Sequence, residues 1–65
     1  MKIYLKEIRL EQKLTLKQLE RLSGVSDTHI SDIENKRTIP TICTLCRLAK
    51  ALQVPVTDLF SCDDE

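Results

Sequence analysis

Hydrogen-bonding side chains are concentrated in one stretch of the sequence, "SDTHISDIENKR" at residues 26–37. A carboxylate can accept a hydrogen bond from the N4 amino group of cytosine, and a threonine can offer its hydroxyl or its methyl group to thymine. Asp27, Thr28 and Asp32 therefore have the chemistry to read base edges. Each acid also has a simpler interpretation, in which Asp27 complements a helix N-terminus and Asp32 lies on a solvated helix face. Both interpretations of the acids stay open at this point.

Cations at three positions could anchor such a stretch to phosphates. Lys36 and Arg37 close it, and Lys17 lies in an earlier segment, where it could equally be an ordinary solvated lysine. The amide groups at two predicted helix starts, marked by Thr15 and Ser26, add further anion-binding positions. The sequence thus offers contacts to a phosphate backbone, although acids share the same surface.

The cysteines invite a metal interpretation. Cys43 and Cys46 are spaced i, i+3 in "CTLC", and with Cys62 and His29 they make four soft ligands. Structural zinc sites usually draw their ligands from short loops and paired CxxC knuckles, and a second pair is missing. We therefore predict core or half-buried thiols, with Cys46 in the core beside Leu45, and no metal or cofactor. A single histidine without a nucleophile arrangement, and no glycine-rich phosphate loop, argue against an enzyme.

Length, composition and charge describe one small domain. The chain has 65 residues, of which 42% are apolar and 31% charged, as is typical of a globular domain. Its 10 basic and 10 acidic residues give a net charge of zero, which is weak evidence against nucleic-acid binding. Acids occupy 63–65, so we predict a mildly basic domain at 1–62 and a short acidic tail. The sequence has no signal peptide and no apolar run of membrane length, which predicts a cytoplasmic protein.

Helices must position these side chains, because apolar residues recur at helical intervals and strand-like alternation is absent. We predict an all-α, compact bundle of five short helices, the first covering "IYLKEIRLEQKL" and burying Leu5 and Ile8. The others are "LKQLERLS" after a Thr15 cap, residues 26–35 with a Ser26 cap, "ICTLCRLAKAL" after a Thr41 cap, and "VTDLF" after Pro55. Gly24 supplies the tight turn between the second and third helices.

The free face of the third helix follows from helical geometry. If Ile30 is at the centre of the buried face, Glu34 lies within about 60° of it at 100° per residue. Thr28, Asp32 and Asn35 then fall on the opposite side. The hydrogen-bonding side chains are therefore expected to face outward.

From Leu5 to Phe60 the chain resembles the Cro/CI-type helix-turn-helix domain of the XRE family of bacterial and phage regulators. The resemblance is carried by Arg9, "LTLKQLERLSGVS", "ISDIEN", Pro40 and "LCRLAKALQVPVTDLF". It implies a lambda-repressor-like fold and a sequence-specific regulator, expected to be a repressor, that reads the major groove of double-stranded DNA. It also implies a homodimer on a two-fold operator and a cytoplasmic, nucleoid-associated location.

The resemblance assigns roles to individual residues. It puts the base-reading positions at Asp27, Thr28 and Asp32, on the same face that helical geometry leaves free. It adds backbone or phosphate contacts near Ser26, His29, Asn35 and Arg37. It further implies a largely buried salt bridge between Arg9 and Glu34 that braces the third helix, the alternative being two independent surface charges.

Four departures from the family pattern have structural meaning. Leu16 replaces a Gln that helps to clamp a phosphate, and Glu20 replaces an Ala that lets the second and third helices approach closely. Lys36 and Gln53 stand where Gly often follows the third helix and ends the fourth. We expect a weaker phosphate contact and a looser helix crossing.

Four apolar residues are crowded near the C-terminal end: Val54, Val56, Leu59 and Phe60. We assign Val56 and Phe60 to the interface between subunits, the alternative being that all four cap the core of the single chain. The competing function is a protein-interaction module of the same fold, such as an antitoxin or a partner-binding regulator, that docks a protein on the acidic face of the third helix. The zero net charge supports this alternative.

Overall fold

The computed structural model describes residues 2–62, and the predicted acidic tail at 63–65 lies outside them. The described chain contains strand β1 (Lys2–Ile3) and helices α1 (Leu5–Glu11), α2 (Leu16–Ser23), α3 (Asp27–Glu34) and α4 (Ile42–Leu52), then a 3-10 turn (Val56–Asp58) and strand β2 (Phe60–Ser61). The predicted all-α class is confirmed, because α-helices build the body of this fold. None of the helices within residues 2–62 is long and apolar enough to cross a membrane.

The expected count of five α-helices is wrong. The segment after Pro55 is a 3-10 turn, in which Asp58 and Leu59 donate to the carbonyls of Pro55 and Val56 at 2.9 and 3.0 Å. It is too short to pass from this tight i, i+3 pattern into an α-helix.

Two short strands, for which the sequence carried no signal, join the ends of the domain. Lys2 pairs with Ser61 and Ile3 with Phe60 in an antiparallel ladder. The first helix therefore begins at Leu5, two residues later than the expected start near Ile3. A strand of two residues is too short to show alternation, which is why the pattern gave no warning.

The three predicted helix caps are confirmed. Thr15 accepts from the N–H of Gln18 at 3.1 Å, and the Gln18 side chain accepts from the N–H of Thr15 at 2.8 Å, a complete capping box. Ser26 and Thr41 each accept from the N–H three residues ahead, at 3.1 Å. These caps fix where α2, α3 and α4 begin.

Helices α1, α3 and α4 are followed by a non-glycine residue in the left-handed conformation: Lys13, Lys36 and Gln53, with φ of 59°, 62° and 60°. The N–H of the next residue bonds back five positions in each case, as in the 2.8 Å bond from Arg37 to the carbonyl of Asp32. This is the Schellman arrangement, which favours Gly at the left-handed position. The two Gly replacements noted in the sequence, Lys36 and Gln53, thus occupy strained backbone positions.

The core is aliphatic and lies between the four helices. Its buried members are Leu5, Leu19, Val25, Ile30, Ile33, Leu45, Leu48, Ala49, Leu52 and Leu59. On α4 the buried stripe follows the predicted i, i+3, i+4, i+7 spacing. The prediction of core or half-buried thiols is wrong, because Cys43, Cys46 and Cys62 are all exposed. Cys46, which was expected in the core, directly follows Leu45 and so points about 100° away from that side chain, off the stripe.

Candidate DNA-binding surface

Helix α3 is anchored by one face and free on the other. Ile30 and Ile33 are 0% and 1% exposed, so they hold the helix on the core. Thr28 and Asn35 are exposed on its outer side. The side chains of Asp27 and Asp32 are 31% and 36% exposed. The structure therefore places the three predicted base-reading residues at an accessible surface.

The turn before α3 is built as the sequence indicated. Gly24 has φ of +79° and ends α2, while Val25 is buried beneath the turn. A left-handed residue is needed here, and Gly adopts this conformation without a steric penalty. The hydroxyls of Thr15 and Ser26 cap their own helices, and the first-turn N–H groups of a helix have no partner inside it. At each start, the cap hydroxyl accepts from one of these N–H groups.

Lys17 links α2 to the start of α3. Its Nζ lies 3.2 Å from a carboxylate oxygen of Asp27. The hydrogen bond with Lys17 lowers the pKa of Asp27 below its ordinary value, and the same bond, with the negative charges of Asp27 and Glu20, raises the pKa of Lys17. Asp27 is therefore ionised at neutral pH and forms an ion pair with Lys17.

Glu20, which replaces a small residue of the family, lies at the crossing of α2 and α3. Its Oε1 is shielded from solvent and has no hydrogen-bond partner among the described residues. The nearest opposite charge is again Lys17, whose Nζ is 3.7 Å away. Lys17 thus lies between two carboxylates and compensates for the unusual acid.

The second predicted base-reading acid is also paired. Arg37 Nη1 lies 3.5 Å from Asp32 Oδ1. The two residues are brought together by the end of α3, where the left-handed Lys36 turns the chain and the Arg37 N–H bonds to the Asp32 carbonyl. The pair therefore depends on how α3 ends, since residues five apart do not face each other along a regular helix.

The other predicted backbone contacts lie along the same edge. Asn35 is exposed and donates from Nδ2 to the Ser31 carbonyl at 2.9 Å and to its hydroxyl at 3.2 Å. His29 is half-buried, and its N–H donates to the Ser26 cap. Lys36 is exposed. The Asn35 amide must release Ser31 before it can donate to a phosphate.

Arg9 and Glu34 are brought together as the resemblance implied. Arg9 Nε donates to Glu34 Oε2 at 2.7 Å, and Nη2 donates to Oε1 at 3.1 Å. Arg9 Nη1 donates to the Leu14 carbonyl at 2.8 Å. The two side chains are only 9% and 5% exposed. This bidentate pair ties α1 to the C-terminal end of α3.

The cysteines do not form a site with the histidine. Cys43, Cys46 and Cys62 are free and exposed. Across residues 2–62, no group of three or more His, Cys, Asp or Glu side chains is arranged to hold a metal ion.

The two predicted interface residues lie at the C-terminal end and are half-buried in the single chain. Phe60 packs against the core while its backbone pairs with Ile3. Val56 begins the 3-10 turn and also contacts the core. Both retain exposed surface, yet Ile39 and Ile42, before and at the start of α4, are far more exposed at 79% and 68%.

Sequence reasoning missed the two ion pairs on the exposed side of α3. It assigned Lys17 and Arg37 to phosphates and the acids to bases, without joining them. The Arg37–Asp32 pair could have been predicted from the sequence. A helix that ends near Asn35 must turn the chain within two residues, which brings Arg37 back towards Asp32. The Lys17–Asp27 pair could not have been predicted in this way, because it depends on the angle between α2 and α3.

Comparison with known proteins supports the same fold. Residues 5–59 match the profile of the helix-turn-helix family. The HTH-type transcriptional repressor RghR of Bacillus subtilis is 48% identical over 57 residues, which make up 86% of this chain and 42% of RghR. The uncharacterized HTH-type transcriptional regulator y4dJ of Sinorhizobium fredii is 40% identical over 58 residues, 89% of this chain and 75% of y4dJ. The chain thus spans less than half of RghR.

A solved structure agrees with the fold. The restriction-modification controller protein C.AhdI from Aeromonas hydrophila aligns with a TM-score of 0.83 and 27% sequence identity, covering 86% of this chain and 85% of that one. The predicted helix-turn-helix fold is confirmed by this likeness.

Proposed function

We propose that this chain, which belongs to the Cro/CI-type (XRE) helix-turn-helix family, is a sequence-specific double-stranded-DNA-binding regulator of transcription that reads the major groove with α3. The observation that carries the proposal is the exposed polar face of α3, on a helix that Ile30 and Ile33 fix to the core. When the second helix of a helix-turn-helix is exposed in this way, it enters the groove with its N-terminal residues towards the bases.

Three residues of α3 are proposed to read bases. Thr28 is exposed in the first turn, where its hydroxyl or methyl group meets a base edge. Asp27 and Asp32 are proposed to accept from cytosine amino groups. Acids on this surface repel phosphates, so they favour selectivity over general affinity for DNA.

Phosphate contacts are proposed along the edges of the same surface. The backbone amides at the starts of α2 and α3, after Thr15 and Ser26, are suitable donors for phosphate oxygens. The proposed side-chain contacts are Lys17, His29, Asn35, Lys36 and Arg37. To make these contacts, the side-chain amide of Asn35 must release the Ser31 carbonyl. Lys17 and Arg37 must likewise release the carboxylates with which they are paired.

The whole-protein properties are proposed by analogy with the relatives. We propose a non-enzymatic repressor that acts as a homodimer on a two-fold operator, since one α3 covers too little of the groove for high affinity. Such a protein works in the cytoplasm, at the nucleoid. Val56 and Phe60 are the proposed interface residues.

A protein-interaction module of the same fold is the second candidate. The observation in its favour is electrostatic: the cations Lys17 and Arg37 are already paired with acids, and the net charge is zero. An acidic surface with neutralised cations suits a basic protein partner as well as DNA.

Selection of bound duplexes from a random pool, followed by a salt titration, tests the proposal. We expect an enriched two-fold sequence, and an affinity that falls steeply with salt as counterions are released. Thr28→Ala should weaken binding to that sequence by about 1–3 kcal/mol and leave random duplexes nearly unaffected. Thr57→Ala, on the exposed 3-10 turn, is the matched control. Failure to enrich any duplex would favour the protein-interaction module.

A further inference from the structure

Both acids on the exposed side of α3 hold a cation that a DNA phosphate would otherwise bind. We infer that Asp27 and Asp32 are specificity-determining residues that compete with phosphates for Lys17 and Arg37. The distances that carry the inference are 3.2 Å from Lys17 Nζ to Asp27 Oδ2 and 3.5 Å from Arg37 Nη1 to Asp32 Oδ1. The inference rests on the proposed function, because it describes how that surface chooses between duplexes.

The fold brings the members of each ion pair together, and the exposed cations can still separate from their acids. Lys17 lies between the carboxylates of Asp27 and Glu20, and the backbone bond from Arg37 to Asp32 fixes the second pair. The two cationic side chains are 73% and 69% exposed, so no core packing has to break when they move. Exposed ion pairs of this kind are weak and exchange readily.

On an operator the exchange is complete. Each cation moves to a phosphate, and the carboxylate that it leaves accepts from a base amino group in the groove. The two cations, as well as Asp27 and Asp32, then each have a partner before and after binding.

On other duplexes the exchange fails. A carboxylate released from its cation finds no donor on the base edge and is left facing phosphates, which repel it. The cation therefore stays with its acid and contributes no phosphate contact. The affinity for non-operator DNA is therefore lower than the affinity expected if every surface cation bound a phosphate.

A double-mutant cycle on Lys17 and Asp27 tests the inference. The proteins are the full chain, Asp27→Asn, Lys17→Met and the double variant, each checked for an unchanged circular dichroism spectrum. The probe is a labelled mixed-sequence duplex of about 20 base pairs, long enough for two half-sites. Such a cycle isolates the contribution that one residue makes through the other.

Asp27→Asn should tighten binding to this mixed duplex by on the order of tenfold at about 0.1 M salt, and steepen the salt slope by about 0.9, because one phosphate contact is gained. Lys17→Met leaves the Asp27 carboxylate without its cation and should weaken binding, because that carboxylate repels phosphates. Adding Asp27→Asn to Lys17→Met should restore only the wild-type affinity and salt slope, since no cation remains to be freed. Asp58→Asn removes the same charge from the exposed 3-10 turn and should leave binding unchanged.

Two results would overturn the inference. One is a double variant that binds as tightly, and with as steep a salt slope, as Asp27→Asn alone, which would mean that the acid repels DNA through space and does not act through Lys17. The other is no gain at all from Asp27→Asn. The cycle of Asp32→Asn with Arg37→Gln repeats the test at the other end of α3, so a folding defect in one set does not decide the outcome. If no protein binds any duplex at low salt, the proposed function itself fails, which is distinct from either result.

Discussion

The guanidinium of Arg9 and the carboxylate of Glu34 meet in two hydrogen bonds of 2.7 and 3.1 Å, at a place where both side chains are almost fully buried. The pair spans 25 positions of sequence and joins α1 to the last residue of α3. A third bond, from Arg9 to the Leu14 carbonyl, holds the loop before α2. One arginine therefore fixes the orientation of α3 relative to α1 and to this loop.

The first prediction is that Arg9→Met destabilises the fold strongly. It leaves the Glu34 carboxylate buried without its cation, which typically costs about 3–5 kcal/mol. Urea unfolding, followed by circular dichroism, measures the loss. The double variant Arg9→Met, Glu34→Leu should recover much of it, because two apolar side chains of similar volume can replace a buried ion pair. Additive losses in the double variant would show that the two residues stabilise the fold independently.

The second prediction is that Gln53→Gly stabilises the protein. Gln53 has φ of 60° at the end of α4, where a side chain strains the backbone and Gly does not. The gain should be about 0.5–1 kcal/mol after subtracting the greater freedom of Gly in the unfolded chain. Thermal unfolding measures it as a higher midpoint. Gln53→Ala is the matched control and should bring no gain, since Ala is also strained at this φ. A stabilised Ala variant would show that loss of the Gln side chain, rather than relief of backbone strain, is responsible.

Much of the fold was predictable because it depends on local chemistry. The caps at Thr15, Ser26 and Thr41 each satisfy an N–H three residues ahead, and the buried stripe of α4 follows from helical spacing alone. The pair of Ile3 with Phe60 was not predictable, because it joins opposite ends of the chain over two residues.

The candidate site was predictable in composition and only partly in geometry. The outward positions of Thr28 and Asn35 follow from the rotation of α3 about Ile30. The contact of Lys17 with Asp27 depends on the angle between two helices, which no local pattern determines. Cys46 shows the opposite error: its residue type favours burial, whereas its place on α4 leaves it exposed.

The third prediction concerns the titration of Asp27. Its pKa lies below the ordinary 3.8, mainly through the hydrogen bond with Lys17. A lowered folded pKa means that the pair stabilises the fold above about pH 4, and that this contribution disappears as the pH falls through the folded value. Carbon-detected NMR of the Asp27 carboxyl group measures the shift. In Lys17→Met the pKa of Asp27 should return towards 3.8. An unchanged Asp27 pKa in the variant would exclude the ion pair in solution.

The fourth prediction concerns the proposed dimer. Two copies must meet through a self-complementary patch that leaves α3 free for DNA. Phe60 is half-buried at the edge of β2, so part of its ring remains available to a second copy. Phe60→Ala should shift the protein towards monomer in sedimentation velocity and weaken operator binding, because two linked half-sites bind more tightly than one.

The matched variant for this test is Ile42→Ala, on the more exposed apolar surface at the start of α4. Ile42 is 68% exposed, so its loss costs the single chain little core packing, whereas Phe60→Ala also removes core contacts. Thermal unfolding must therefore be measured for each variant. The sedimentation result for Phe60→Ala is interpreted only at a temperature where that variant is folded. Dissociation by Phe60→Ala alone supports the interface at Val56 and Phe60. Dissociation by Ile42→Ala alone moves the interface to the start of α4 and excludes the one at Val56 and Phe60.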